Sequence, residues 1–178
     1  MSEELLERRD FIGGLTVLPL AAGPTANVTA GMKLAIGSDH AGFPMKGPVM
    51  EILRGWGHTV KDCGSFTPAP VDFPDIAKSV CEEVLTGRAE RGIMVCGTGV
   101  GACIAANKVS GIHAALCHDT YCAHQSVEHD DVNVLCMGAW IIGIKLAEEV
   151  LNAFLKAKFS TAEEFQRRVR KLREMERR

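Results

Sequence analysis

Cys96 stands where an apolar run, Ile93-Met94-Val95-Cys96, meets Gly97-Thr98-Gly99-Val100-Gly101. A thiol acts as a base or nucleophile only as its thiolate. Free cysteine, with a pKa near 8.5, is mostly protonated at neutral pH, so a working thiolate needs converging N–H donors or a helix N-terminus beside it. Glycines at 97, 99 and 101 permit positive φ and predict a nest of inward N–H groups. The nest opens onto a predicted helix through Ala102-Cys103-Ile104-Ala105-Ala106, whose dipole adds positive potential for an anion. The run lacks the Lys-Ser/Thr pair of a P-loop and matches the dinucleotide-binding pattern only loosely. A structural cysteine in a glycine turn fits these nine residues as well, and on this run by itself the two readings stay open.

A second strand-like run, Lys33-Leu34-Ala35-Ile36-Gly37-Ser38, ends in Asp39-His40-Ala41-Gly42. A histidine near pKa 6.5 changes between acid and base with small shifts. Parallel strands bring their carboxyl ends to one sheet edge, where such residues meet. Further along come Ala105-Ala106-Asn107-Lys108, Gly111-Ile112, His118-Asp119-Thr120-Tyr121 and Asn133-Val134-Leu135. In this order, with the two strand-end motifs, they resemble the type B ribose-5-phosphate isomerases and the related hexose-phosphate isomerases. The resemblance covers about residues 32 to 175, and the ordered set is specific for the family rather than for the sugar.

The resemblance implies an aldose–ketose isomerase without cofactor or metal, converting ribose 5-phosphate to ribulose 5-phosphate through an enediolate. On it, Cys96 moves the proton between carbons 1 and 2, and Thr98 with the backbone of Gly97, Gly99, Val100 and Gly101 holds the enediolate. His129 opens the sugar ring, with Asp130 where the family carries Asn. Asp39 and His40 contact ring oxygens and phosphate. The family pattern also implies a homodimer, or a dimer of dimers, whose sites draw on both subunits, with the terminal helix reaching the partner. Three further positions depart from the pattern. Trp140 replaces a phosphate-gripping arginine, Glu164 stands for the first of two terminal-helix arginines of which Arg168 matches the second, and His113 replaces the arginine of Gly-Ile-Arg. A charge-assisted arginine contact contributes about 1.5–3 kcal/mol, so the chemistry is better supported than the phosphopentose. A tetrose or hexose phosphate, or a free aldose, is the alternative substrate, and a non-catalytic sugar-phosphate-binding protein the alternative class.

Composition bounds these readings. The chain has 178 residues, 47% apolar, enough for a buried core, and a formal charge of -2 that argues against a nucleic-acid binder. Seven cysteines form no CxxC pair and suit a reducing cytosol. His113, His118, His124 and His129 with Cys117 or Cys122 lack structural-zinc spacing. Against a cytoplasmic location, Arg8-Arg9-Asp10-Phe11, an uncharged run from Ile12 to Ala22 and Val28-Thr29-Ala30 resemble a twin-arginine export leader. That run is too short and too broken by glycine and proline to span a membrane. A start placed too early, with Met32 opening the first strand, reads these residues equally well. Either way residues 1–31 are expected outside the fold, and 32–178 form a single isomerase domain.

The elements that must position these residues follow from alternating apolar runs and helical periods. Strands are predicted near 32–37, 58–62, 91–96, 112–117 and 132–138. Helices are predicted near 44–56, 74–86, 100–107, 120–127 and 142–155, with a terminal helix from about 161. This is an α/β Rossmann-like three-layer sandwich with a five-stranded parallel sheet and a C-terminal helix. Pro44 and Pro48 suit a first helical turn, and Ile142, Leu146, Val150 and Phe154 mark one buried face. Phe165, Val169 and Leu172 make the basic terminus a docked amphipathic helix. A nucleotide-binding oxidoreductase fits less well, since the first strand lacks the glycine fingerprint.

Overall fold

A computed structural model of the chain describes residues 31–176; the reading of the preceding segment as a leader or extension lies outside the described residues. Five parallel strands, β1 (Lys33–Ser38), β2 (Thr59–Asp62), β3 (Arg91–Cys96), β4 (Ala114–Leu116) and β5 (Val134–Gly138), form one sheet in the order β2-β1-β3-β5-β4. The helices are α1 (Phe43–Gly55), α2 (Phe73–Leu85), α3 (Val100–Ala106), α4 (Thr120–Asp130), α5 (Ile144–Lys156) and α6 (Glu163–Met175). This is the expected α/β architecture.

Strand side chains alternate between two buried layers. Leu34, Ile36, Ile93, Val95, Leu135 and Met137 face α1, α4 and α5. Ala35, Met94, Cys96, Val134 and Cys136 face α2 and α3. The sheet is thus covered on both sides, as an all-parallel sheet requires. Between α1 and the end of β2, the buried Lys46 ammonium lies 2.7 Å from Asp62 Oδ1 and donates to the Ser65 carbonyl at 2.6 Å. The charge is therefore paired as burial demands.

Several expected boundaries move for identifiable reasons. β4 covers three residues rather than six, because the flanking N–H groups go to asparagine side chains. His113 N donates to Asn133 Oδ1 at 3.0 Å and Ala114 N to Asn107 Oδ1 at 2.9 Å, while Asn107 Nδ2 returns a bond to the Ala114 carbonyl at 2.8 Å. α4 runs on to Asp130 and stops at Asp131, which takes a left-handed conformation at φ 53°. Pro44 lies in the first turn of α1, but Pro48 sits inside the helix on its exposed side, where water can reach the unpaired carbonyl. On α5, Leu146 is 39% exposed and the buried stripe uses Ala147 and Leu151 beside Val150 and Phe154. In α6 only Val169 is buried, and Leu172 is exposed.

One contact sets the approach of the first loop to the central strand. A β-carbon added to Gly42 would fall 2.0 Å from the Val95 carbonyl oxygen and 2.7 Å from the Cys96 nitrogen. Backbone cannot yield as a flexible side chain would. Gly42→Ala is therefore expected to cost about 1–3 kcal/mol, or more if the loop is expelled, read as a lower midpoint in urea unfolding, whereas Gly47→Ala, where nothing lies within 4 Å, should not lower it.

Candidate active site

The carboxyl edge of the sheet gathers Ser38, Cys96 and Gly138, the last residues of adjacent strands. Cys96, 7% exposed, points to the α2/α3 side. Asp39 is buried and accepts from Gly42 N at 2.8 Å, which closes the turn that presents the exposed His40. The turn after β5 is bonded to the turn after β3: Ala139 N donates to the Cys96 carbonyl at 2.9 Å and Trp140 N to the Gly97 carbonyl at 3.0 Å. His118 Nε2 accepts from Gly138 N at 3.0 Å, which fixes the start of the β4–α4 connection at the same edge.

The glycine turn differs from the expected nest in its dihedrals. Of the three glycines only Gly99 has positive φ, at 81°, as the residue before α3. Gly97 and Gly101 are required by space. A β-carbon on Gly97 would meet the Trp140 ring at 2.8 Å, and one on Gly101 the Phe73 ring at 2.9 Å. The first-turn N–H groups of α3 have no partners within the helix, and Val100 N reaches Thr98 Oγ1 at 3.4 Å. Thr98 and Val100 are exposed beside the buried thiol.

The other site candidates lie elsewhere. α4 starts at the carboxyl edge with Asp119 as its cap and runs back to the amino edge, where Asp130 precedes the entry to β5. His129 is in its last turn. The length of β5, about 13 Å at roughly 3.3 Å per residue, separates His129 from the level of Cys96. There its imidazole stacks on Phe165 of α6 with centroids 3.9 Å apart and planes 15° apart. The Arg168 guanidinium carbon lies 5.4 Å from the same phenyl centroid. One chain thus brings together Asp39, His40, Cys96, Thr98, the glycine turn and Trp140 at one edge, and His129, Asp130 and Arg168 at the other. Phe165, read in the sequence as packing, is the plate between His129 and Arg168. Phe73, at the Phe-Pro start of α2, places its ring against Gly101, and aromatic character at a helix start beside a proline-rich loop is the sequence signal that marks it. Of the histidines weighed as metal ligands, His113 Nδ1 is 2.9 Å from the Asp130 carbonyl and His118 holds Gly138, while His124 and His129 both face Glu128, at 3.3 and 3.8 Å.

A parallel sheet wound on both faces, with loops and a thiol converging at its carboxyl edge, defines an enzyme of the Rossmann-like class acting on a small molecule. The chain belongs to the ribose/galactose isomerase family, whose model matches residues 34–172. It is 39% identical over 135 residues to ribose-5-phosphate isomerase B of Escherichia coli, covering 76% of this chain and 91% of that protein. To 4-deoxy-4-sulfo-D-erythrose isomerase of a Clostridium species it is 41% identical over 130 residues, covering 72% and 82%. Among solved structures, ribose-5-phosphate isomerase B of Clostridium thermocellum superposes with a TM-score of 0.80 at 42% identity, over 82% of this chain and 98% of that one. The chain is thus an isomerase of the sugar-phosphate isomerase family. No helix among the described residues is long and apolar enough to cross a membrane.

The thiols are unequal. A hydrogen bond from Cys136, and further ones from its surroundings, lower Cys103 on α3 from 9.0 to about 7 against its partial burial. Cys136 itself is pushed well up by that same bond and by burial. Burial takes Cys63, Cys81 and Cys117 up to about 11. Exposed Cys122 is raised by its hydrogen bond to Asp119. Since the thiolate reacts and its fraction grows as pH rises through the pKa, iodoacetamide labelling of Cys103 should reach half its plateau rate near pH 7. Labelling of Cys122, raised by its hydrogen bond to Asp119, should need a higher pH than that of Cys103; peptide mapping after timed quenching reads both.

Proposed function

We propose that the chain interconverts an aldose and a ketose by moving a proton between carbons 1 and 2, with Cys96 as the proton carrier. The observation that carries this reading is a thiol at the end of the central strand, with the Asp39–Gly42 turn packed on its own backbone and exposed Thr98 beside it. The Cys96 thiolate takes the proton from carbon 2, and the electron pair moves into the carbon–carbon bond as charge develops on the oxygen at carbon 1. Thr98 and the N–H groups from Gly97 to Gly101 stabilise that enediolate, since donors fixed in advance cost no reorganisation as charge appears. The thiol then returns the proton to carbon 1, while the hydroxyl proton passes from the oxygen of carbon 2 to that of carbon 1. Asp39 and His40 hold the sugar's hydroxyls.

His129, at the opposite edge, serves as the acid–base group for ring opening from a second copy of the chain, with Asp130 and Arg168 beside it. A homodimer, or a dimer of dimers, then completes each site. Residues 32–178 form the working isomerase domain and residues 1–31 stand outside it, as an export leader or an extension of a cytoplasmic enzyme. Ribose 5-phosphate is the substrate favoured by the resemblance.

Two measurements test these assignments. Cys96→Ser should leave the fold intact and abolish exchange of the carbon-2 proton with deuterated water, followed by NMR; exchange at the wild-type rate removes Cys96 from the mechanism. Co-expressed Cys96→Ser and His129→Ala chains, each inactive on a cyclic sugar, should recover about a quarter of wild-type activity, because each mixed dimer rebuilds one intact shared site. Absence of recovery, with mixed dimers shown to be present, would place both groups in one chain's site.

A further inference from the structure

His129 leaves the last turn of α4 half-buried, with its polar edge only loosely held. Its Nε2 lies 3.8 Å from Glu128 Oε2, beyond hydrogen-bond reach, and the same carboxylate oxygen is nearer to His124 Nε2, at 3.3 Å. The torsion that swings an imidazole about its Cβ–Cγ bond has broad minima, so the ring needs another restraint to keep one orientation. That restraint comes from α6. The Phe165 ring lies almost parallel to the imidazole, 15° apart in plane with centroids at 3.9 Å. At that spacing any swing out of plane drives the imidazole into the phenyl.

Phe165 is in turn held where it is by contacts on both sides of His129. Ser160 N donates to the Glu128 carbonyl at 2.9 Å, and Gln166 Nε2, next to Phe165, donates to the Ser160 carbonyl at 2.5 Å. Beyond the end of α4, Arg173 Nη2 donates to Asp131 Oδ2 at 2.5 Å, and between these ties Val169 is the buried residue of α6. The Arg168 guanidinium carbon is 5.4 Å from the Phe165 centroid, within cation–π range. One half-buried ring thus touches both charged or titratable groups of this edge.

Resting on the ring-opening role given to His129 above, we propose that Phe165 is a positioning residue for that step. When the cyclic sugar opens, the bond between carbon 1 and the ring oxygen breaks. The ring oxygen gains a proton, and the hydroxyl on carbon 1 gives one up to become the carbonyl. An imidazole that delivers the first proton and takes the second ends unchanged. Both oxygens sit on the same carbon, so the imidazole must keep one plane through both transfers, and the phenyl plate keeps it. The plate does nothing for the later transfer between carbons 1 and 2, which belongs to Cys96.

Two sugar phosphates separate these steps. Ribose 5-phosphate is chiefly cyclic, whereas erythrose 4-phosphate cannot close a furanose because the phosphate occupies the oxygen on carbon 4. Phe165→Leu keeps apolar bulk and removes the plane. It should lower kcat for ribose 5-phosphate about tenfold or more, with a much smaller change for erythrose 4-phosphate, and Phe165→Tyr should retain both activities. Any rise in KM through Arg168 falls on both sugars alike, since both carry the phosphate. In a His129→Ala background Phe165→Leu should add no further loss on ribose 5-phosphate, because it acts through the imidazole. The His129 ring protons, identified in NMR spectra by their absence from His129→Ala, should move downfield in Phe165→Leu as the phenyl ring current is lost, and stay in place in Phe165→Tyr. Equal losses of kcat on the two sugars overturn the proposal, as do a further loss in the His129→Ala background and imidazole resonances unmoved by Phe165→Leu. Full turnover of ribose 5-phosphate by His129→Ala, or a wild-type chain inert on both sugars, removes the ring-opening reading and the proposal with it. Loss in His129→Ala with none in Phe165→Leu removes the role of Phe165 alone.

Discussion

Everything at the carboxyl edge depends on three places where backbone meets backbone or ring without an intervening β-carbon. Gly42 lies on the Val95 carbonyl and the Cys96 nitrogen, Gly138 lies on the carbonyl of Thr98, and Gly97 lies under the indole of Trp140. The first joins the β1–α1 loop, and the other two the turn after β5, to the end of β3 and its glycine turn. With the carbonyls of Cys96 and Gly97 also bonded to the turn after β5, the thiol is held by main chain from three strands. Main-chain contacts move less than side-chain ones, a rigidity that suits the proton transfer proposed for Cys96, because misplacement by an ångström weakens such a step steeply.

The same close packing explains what the sequence could and could not convey. Continuous apolar runs and period-3.6 patterns identify the strands and helices, since burial on both faces of the sheet forces runs such as Ile93 to Cys96. The glycines at 97 and 101 announce a need for glycine but not its reason. Positive φ and lack of room leave the same letter, and only the positions of Trp140 and Phe73 distinguish them. The shortening of β4 is invisible locally because Asn107 and Asn133 replace ladder bonds from a distance in sequence. The separation of His129 from Cys96 follows from direction alone: a crossover helix returns its last turn to the edge opposite the strand ends. That much can be drawn from the βαβ pattern, whereas the stack of His129 on Phe165 requires the docking angle of α6.

The distribution of thiols shows how one environment can treat a residue type in opposite ways. Cys81 and Cys136 belong to the same apolar layer, and Cys103 packs against it. Burial favours the neutral form of these three, and one of them becomes acidic only where a neighbour donates a hydrogen bond to it. Cys103 receives such bonds, and Cys136 gives one up at its own expense. Acidity here is divided within a pair rather than supplied by a charged group.

Asn107 carries one more consequence. Its side-chain amide accepts from Ala114 N and donates to the Ala114 carbonyl, as the peptide of an adjoining strand would. β4 is an outer strand of the sheet, and open rims of this kind invite other polypeptides to add themselves by main-chain pairing. Asn107 occupies the rim's hydrogen-bonding positions at Ala114 in advance. A strand adding itself to the sheet at this rim would first have to displace the Asn107 amide.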